Sequence, residues 1–426
     1  MNNRYYYSSF IVLNLLLFVY FLELVFPPIT TIGNSTLICA LCLAFWLIIS
    51  FMSNPDFYLE SNIHTSYLLI FLVATIIVPY AFGIGTIGNR YLSLALLPVG
   101  PVIFKYYKHH QKLRELKLII LGLIPFAGTT FFVTLIRLIE DPYISRSIKS
   151  WGEYSAGLAR EGIGGYSFIY FTVGISVLLL YIFLKTNNKL IKTLSIIGFA
   201  LGLFFLLKSN YVTALFVALL ASAVLIIMHY ADNDTGNMPA LILSVIGVFL
   251  IIANLNVIID TFSEYIPARI AEVLVAGDDK SIFQSVTDEF LSDRWPVMLT
   301  SVEGFLKNPV LGWVGAQNIS VANSFTSGFG QHSHILDTFS LLGIIFGIVN
   351  IFVILRPFKD DNGVWIQHNK PLNISMLICI IGIYLFNNAT SAVALVFTII
   401  FPLVRETYTS ENRIKNIEEI NMMDGR

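Results

Sequence analysis

The chain is poor in charge. Lys, Arg, Asp and Glu make up 12% of its 426 residues, about half the usual quarter of a soluble chain. A globule of this size needs polar surface to meet water, so an ordinary soluble enzyme is excluded. Cysteine is almost as scarce, with Cys39, Cys42 and Cys379 all inside apolar runs. No disulfide framework is available, and the CxxC spacing of Cys39 and Cys42 within ICALCLAFW reads as packing rather than redox or metal chemistry. Excess positive charge is also lacking: the formal net charge is -1, which gives no electrostatic reason to expect nucleic acid.

What the chain has instead is hydrocarbon. Hydrophobic residues are 56% and aromatics 14%, and mean hydropathy is +0.75. A helix crosses the bilayer core with about 20 apolar residues, because each backbone N–H and C=O must be satisfied within the segment. Twelve segments qualify, roughly 8–26, 33–52, 66–83, 90–104, 118–138, 166–184, 194–208, 211–228, 239–258, 335–355, 371–387 and 389–404. The expected fold is an all-α polytopic membrane protein. Residues 1–258 carry the first nine helices with an external loop near 139–165. A large extracytoplasmic loop subdomain follows at 259–334, then the last three helices at 335–404 and a tail at 405–426.

Lys and Arg concentrate in cytoplasmic connections. With the N terminus inside, 16 of the 26 Lys and Arg lie there, including Lys105, Lys108, Lys112, Arg114 and Lys117. Both termini are therefore expected in the cytoplasm. The first segment has no small-residue cleavage site before Pro27-Pro28, so it is expected to be retained rather than removed as a signal peptide. The stretch 259–331 is too long for a structureless loop. Met298, Val302 and Phe305 recur at helical spacing, with Asp293 as N-cap, Pro296 in the first turn and Asn308-Pro309 as the stop.

Some polar signals have a structural explanation. Asp232-Asn233-Asp234 imitates a metal-holding DxD, yet it sits in the short HYADNDTGNM connection, where Asp, Asn and Gly are turn residues. No metal and no cofactor are expected. His109-His110 lies among five cationic residues and reads as a solvated membrane-surface patch. Glu23, in the outer half of the first helix, is either buried against a partner or at the interface.

One constellation has no such explanation. Arg137, Arg146, Arg160, Lys208, Arg269, Arg294, His332 and His334 all fall on the outer side. Five guanidinium forks there run against the charge bias and suit bidentate contact with phosphate. His332 stands at the junction of the large loop and the tenth apolar segment, where an imidazole with a near-neutral pKa takes a proton from a hydroxyl. His334 and Asp337 either orient that ring or line the helix start.

The order DRW (293–295), FLKNPVLGWVG (305–315) and GQHSHILDTFSLLGIIFG (330–347) resembles the bacterial O-antigen and capsular polysaccharide polymerases of the Wzy type. The related O-antigen ligases share the pattern: an Arg, an NPxxGxG-like turn, and a His-Ser or His-Asn before an apolar stretch ending in Gly. REGIGGYSFIY (160–170) and KSNYVTALFVALL (208–220) resemble further segments of that family. Trp313-Val314, where a single residue between glycines is commoner, and the second imidazole of His334 depart from its pattern.

The resemblance implies a GT-C-like architecture and a glycosyltransferase in the bacterial cytoplasmic membrane, acting at its outer face. Polyprenyl-pyrophosphate-linked oligosaccharide would be both donor and acceptor, with chain-length regulator and flippase proteins as partners. Added to the charges, it implies His332 as the catalytic base and Arg160, Arg269 and Arg294 as ligands of the departing pyrophosphate, with His334, Asp337, Lys208 and Arg137 in support. Ligase-type glycan transfer is the alternative within the family. A flippase or transporter is the alternative outside it, and would gather its charged and helix-breaking residues near the midplane. Few candidates lie there: Pro98, Pro101, Pro125 and Asn350.

Overall fold

The computed structural model describes residues 3–59, 63–81, 92, 94–148, 153–232, 295–312, 333–360 and 363–409. The described chain is helical, and its β pairing amounts to an isolated bridge between Lys359 and Trp365. In chain order the helices are α1 Asn3–Val25, α2 Ser35–Ser53, α3 Pro55–Leu59, α4 Ile63–Ala81, α5 Leu96–His109, α6 Leu113–Glu140, α7 Ile144–Ser147 and α8 Glu153–Arg160. They continue as α9 Tyr166–Lys185, α10 Lys189–Lys208, α11 Val212–Asp232, α12 Trp295–Lys307, α13 His334–Leu355, α14 Lys370–Phe386 and α15 Ser391–Leu395. A π-helical turn, Val396–Ile400, carries α15 onward, so that this last apolar stretch extends to Thr409.

The ninth expected segment, 239–258, lies outside the described residues, as do parts of the third and fourth, and most of what is described of the other segments is helical. By length and composition alone 6 segments are long and apolar enough to cross a membrane: Leu113–Glu140, Tyr166–Lys185, Lys189–Lys208, Val212–Ala231, His334–Phe358, which Gly343 interrupts, and Ser391–Thr409. Shorter apolar stretches, Ser9–Val25, Leu37–Ser53, Leu68–Ile77 and Lys370–Phe386, accompany them. The described residues are thus those of a helical membrane protein.

The last apolar stretch is the centre of the bundle. Val393 to Phe397 and Ile399 are fully buried, enclosed by α1, α5 and α9. Small residues let these backbones approach, since tight packing rather than a water-driven effect associates helices in lipid. A β-carbon on Gly100 of α5 would come within 2.6 Å of the Thr398 β-carbon, and one on Gly174 of α9 within 2.7 Å of Val396 Cγ1. Two helices therefore close on the π turn through two glycines.

The boundary at 404 moves. Arg405, expected to open the tail, is 3% exposed: its Nη1 donates to Pro357 O at 2.8 Å and to Asn373 Oδ1 at 3.3 Å, and its guanidinium lies 4.9 Å from the Phe401 ring. It is a core residue that caps the end of the α13 segment. The His109-His110 patch also differs from expectation. Only part of it is solvated, because the His110 ring packs on Tyr106 at 4.5 Å and on Phe10 at 5.6 Å.

The most consequential departure is α13. In a continuous helix His334 and Asn350 would stand about 24 Å apart, at 1.5 Å per residue. Instead His334 Nε2 and Asn350 Oδ1 are 3.1 Å apart, and a β-carbon on Gly347 would strike the Phe339 ring, reaching Cε1 at 2.6 Å. The chain reverses at Gly343, whose φ of 77° and ψ of -174° belong to a region essentially reserved for glycine. The expected straight tenth crossing is a helical hairpin, with limbs 334–342 and 344–355.

Candidate functional site

The ends of α6, α10 and α14 and the starts of α9, α11, α13 and α15 gather at one end of the bundle. Four of the sequence segments singled out above meet there. Arg146 of α7 donates through Nη2 to Asn210 O at 2.5 Å and lies 4.8 Å from the centre of the Tyr211 ring. Tyr211 in turn approaches Tyr166 at 6.1 Å and Tyr170 at 6.2 Å, and those two rings are 4.8 Å apart. Tyr166 Oη reaches Asn388 O at 3.5 Å. His334 N donates to Asn387 O at 3.0 Å, and the His334 ring lies edge-on to Tyr384 at 5.2 Å. The result is a continuous polar and aromatic cluster running from Arg146 to His334.

Local sequence explains the anchoring. Asn210 adopts φ 56°, left-handed backbone that Asn tolerates better than most residues, and so turns α10 sharply into α11. Ser333 caps α13: its hydroxyl accepts Leu336 N at 3.2 Å, satisfying an otherwise orphaned amide. Gly162, at φ 86°, makes the turn from α8 toward α9, and Gly164 N donates to Thr134 Oγ1 at 2.7 Å.

Chemically, the cluster offers donors, acceptors and ring faces. Asn210 is fully buried, and neither its Nδ2 nor its Oδ1 has a hydrogen-bond partner among the described residues. The Tyr384 hydroxyl is in the same position. Such groups cost about 1–3 kcal/mol each when left unsatisfied.

The expected site residues fall into three groups. His332, Arg269 and Arg294 lie outside the described residues. Arg137 and Arg160 share one corner: Arg137 Nη1 pairs with Glu140 at 3.1 Å and its Nη2 with Glu161 at 2.9 Å, while Arg160, next to Glu161, is exposed. Lys208 ends α10 with Nζ 5.8 Å from the Phe204 ring, two residues before Asn210.

His334 and Asp337 are each 1% exposed and turn into the protein. Asp337 accepts the Ser301 hydroxyl at 2.8 Å, tying α12 to the first limb of α13. His334 thus reaches across the hairpin to Asn350, and Asp337 reaches out of it to α12. Among the described residues no group of three His, Cys, Asp or Glu side chains gathers as a metal site.

Sequence reasoning passed over Asn210, Tyr166, Tyr170, Tyr211, Asn387 and Asn388. A signal existed in their polarity at the edges of apolar runs. In the sequence Arg146 is one of several cations expected on the outer side, and among the described residues it is the cation seated on tyrosine rings. No protein-family model, no curated protein and no solved structure matches the chain.

Proposed function

We propose that this chain is a membrane glycosyltransferase that polymerises polyprenyl-pyrophosphate-linked oligosaccharide repeat units into O-antigen, capsular or exopolysaccharide at the outer face of the bacterial cytoplasmic membrane. The observation that carries the reading is convergence. Segments 160–170, 208–220 and 333–347, distant in sequence, contribute Tyr166, Tyr170, Asn210, Tyr211 and His334 to one cluster with Arg146. Tyrosine faces stack on the C–H faces of sugar rings, amides exchange hydrogen bonds with hydroxyls, and guanidinium groups meet phosphate.

In this reading His332 takes the proton of the acceptor sugar hydroxyl as its oxygen bonds to the anomeric carbon of the donor. The bond from that carbon to pyrophosphate breaks, and Arg160, Arg269 and Arg294 neutralise the departing polyprenyl pyrophosphate. The donor carries its own leaving group, so the step draws on no nucleotide. His332→Ala and Arg294→Ala strains are expected to accumulate single lipid-linked repeat units at normal protein levels. Surface polysaccharide of unchanged length in both would overturn the two assignments. A deletion strain separates the ligase alternative, since loss of a ligase leaves long lipid-linked chains instead of single units.

The reversal at Gly343 favours a second reading, because broken apolar helices also build transporter sites. Purified protein that elongates lipid-linked repeats with no transmembrane gradient decides for the polymerase.

A further inference from the structure

The helix α12 belongs to the stretch expected to form an extracytoplasmic subdomain, and its exposed surface is wrong for one that meets only water. One side, with Met298, Ser301 and Gly304, is buried against α13. A second stripe, Trp295, Leu299 and Leu306, is 38 to 68% exposed. These positions follow i, i+4 and i+11, close to one line on a helix that turns about 100° per residue. Glu303 and Lys307, both exposed, form a polar edge beside that stripe.

The apolar stripe does not end with the helix. Val310 and Leu311 extend it, both more than half exposed, in the turn where Pro309 O accepts Ile344 N at 2.8 Å. Ile345, Ile348 and Phe352 then run down the second limb of α13 at i, i+3 and i+7, each 45 to 55% exposed. At the far end Lys359 Nζ sits 5.6 Å from the Phe352 ring and 5.7 Å from Trp365, a cation and an indole of the kind that mark a membrane–water boundary. The exposed apolar strip therefore runs from an amphipathic helix, with Glu303 and Lys307 along its edge, into a limb apolar enough for lipid that ends at Lys359.

From this we infer that α12, the turn 308–312 and the Gly343 hairpin tip are inserted into one leaflet of the bilayer, with the Trp295, Leu299 and Leu306 stripe against acyl chains and Glu303 and Lys307 at the headgroups. The occupant of the strip is phospholipid hydrocarbon. This holds whatever reaction the protein carries out.

Single cysteines placed at Leu306, Ile345 and Glu303 in the full chain test the inference. The native cysteines stay, and the unsubstituted chain supplies the background. All three positions are exposed, so the fold is not at stake, and elution of each variant with the parent chain in detergent checks this. Bimane attached in detergent, followed by reconstitution into phosphatidylcholine vesicles with brominated acyl chains, is expected to be quenched at least threefold more at 306 and 345 than at 303. In unbrominated vesicles a water-soluble maleimide should label 303 at least tenfold faster than 306. Equal maleimide rates with no quenching at 306 would place the stripe in water. Protection of 306 from both reagents would mean that protein covers it. Either result overturns the inference.

Discussion

Gly312 and Gly343 meet backbone to backbone. A β-carbon on Gly312 would lie 2.6 Å from Gly343 N, and one on Gly343 would lie 2.8 Å from Gly312 N. Both residues have positive φ, 61° and 77°. The turn after α12 and the tip of the α13 hairpin are thus locked together where no side chain fits, and Pro309 O satisfies the Ile344 amide that the reversal leaves free of its helix.

This lock gives the first prediction. Gly343→Ala suffers both backbone strain and overlap with Val310, and is expected to destabilise the detergent-solubilised protein by about 3 kcal/mol or more. Gly128→Ala, where an added β-carbon meets nothing within 4 Å, should leave the thermal midpoint unchanged or slightly raised. Equal midpoints for the two variants would contradict the hairpin geometry.

The bond from Ser301 to Asp337 is the second link between α12 and α13. Since Asp337 is buried, Ser301→Ala should cost about 1–3 kcal/mol. A double-mutant cycle with Asp337→Asn should return a coupling of about 1 kcal/mol or more, and a coupling near zero would show that the two side chains do not act on each other.

Arg146 and Arg137 both belong to the cations expected on the outer side, and the structure separates them. Arg137 has its fork occupied by Glu140 and Glu161 at the surface, so on the proposed polymerase function Arg137→Ala should keep polysaccharide chain length within about twofold, exposed pairs being worth little. Arg146 is seated among Asn210, Tyr211 and Tyr143. Arg146→Ala should shorten the polymer sharply, by about tenfold or more if it meets a charged group of the substrate. Arg146→Lys, which keeps charge but loses the planar fork, should not restore it. Gel profiles of surface polysaccharide from each strain, with protein levels matched, read the outcome.

His110 supplies a pH dependence. Asn54 Oδ1 accepts Phe57 N, so Asn54 presents its Nδ2 donor to His110 Nε2 at 3.1 Å, and the ring is held as an acceptor. Burial, helped by the adjacent His109, lowers its pKa from the ordinary 6.5 to about 4. Protonation is then favoured in the unfolded chain, so the stability contributed by neutral His110 is present above pH 6.5. It is lost as pH falls from 6.5 toward 4, and no further loss follows below that. Thermal midpoints measured between pH 7.5 and 4 should show this slope, and His110→Gln should flatten it.

The sequence by itself determined the solvent and the elements. Scarce charge and long apolar runs dictate helices in a bilayer, because hydrocarbon leaves backbone groups no other partners. Asn308-Pro309 is legible as the stop of α12, since the α12 described here ends at Lys307. What was not legible depends on contacts between distant segments. The reversal at Gly343 looks in sequence like a glycine within an apolar run, and it becomes a hairpin because Val310, Gly312 and Asn350 wait in the fold to receive it. Arg405 reads as a tail cation and is a core cap because Pro357 O and Asn373 reach it. The tyrosines and Asn210 are ordinary helix-end residues until packing brings four segments to one end of the bundle. Period and composition act along the chain, whereas a site is made across it, and only the tertiary structure decides which helix ends meet.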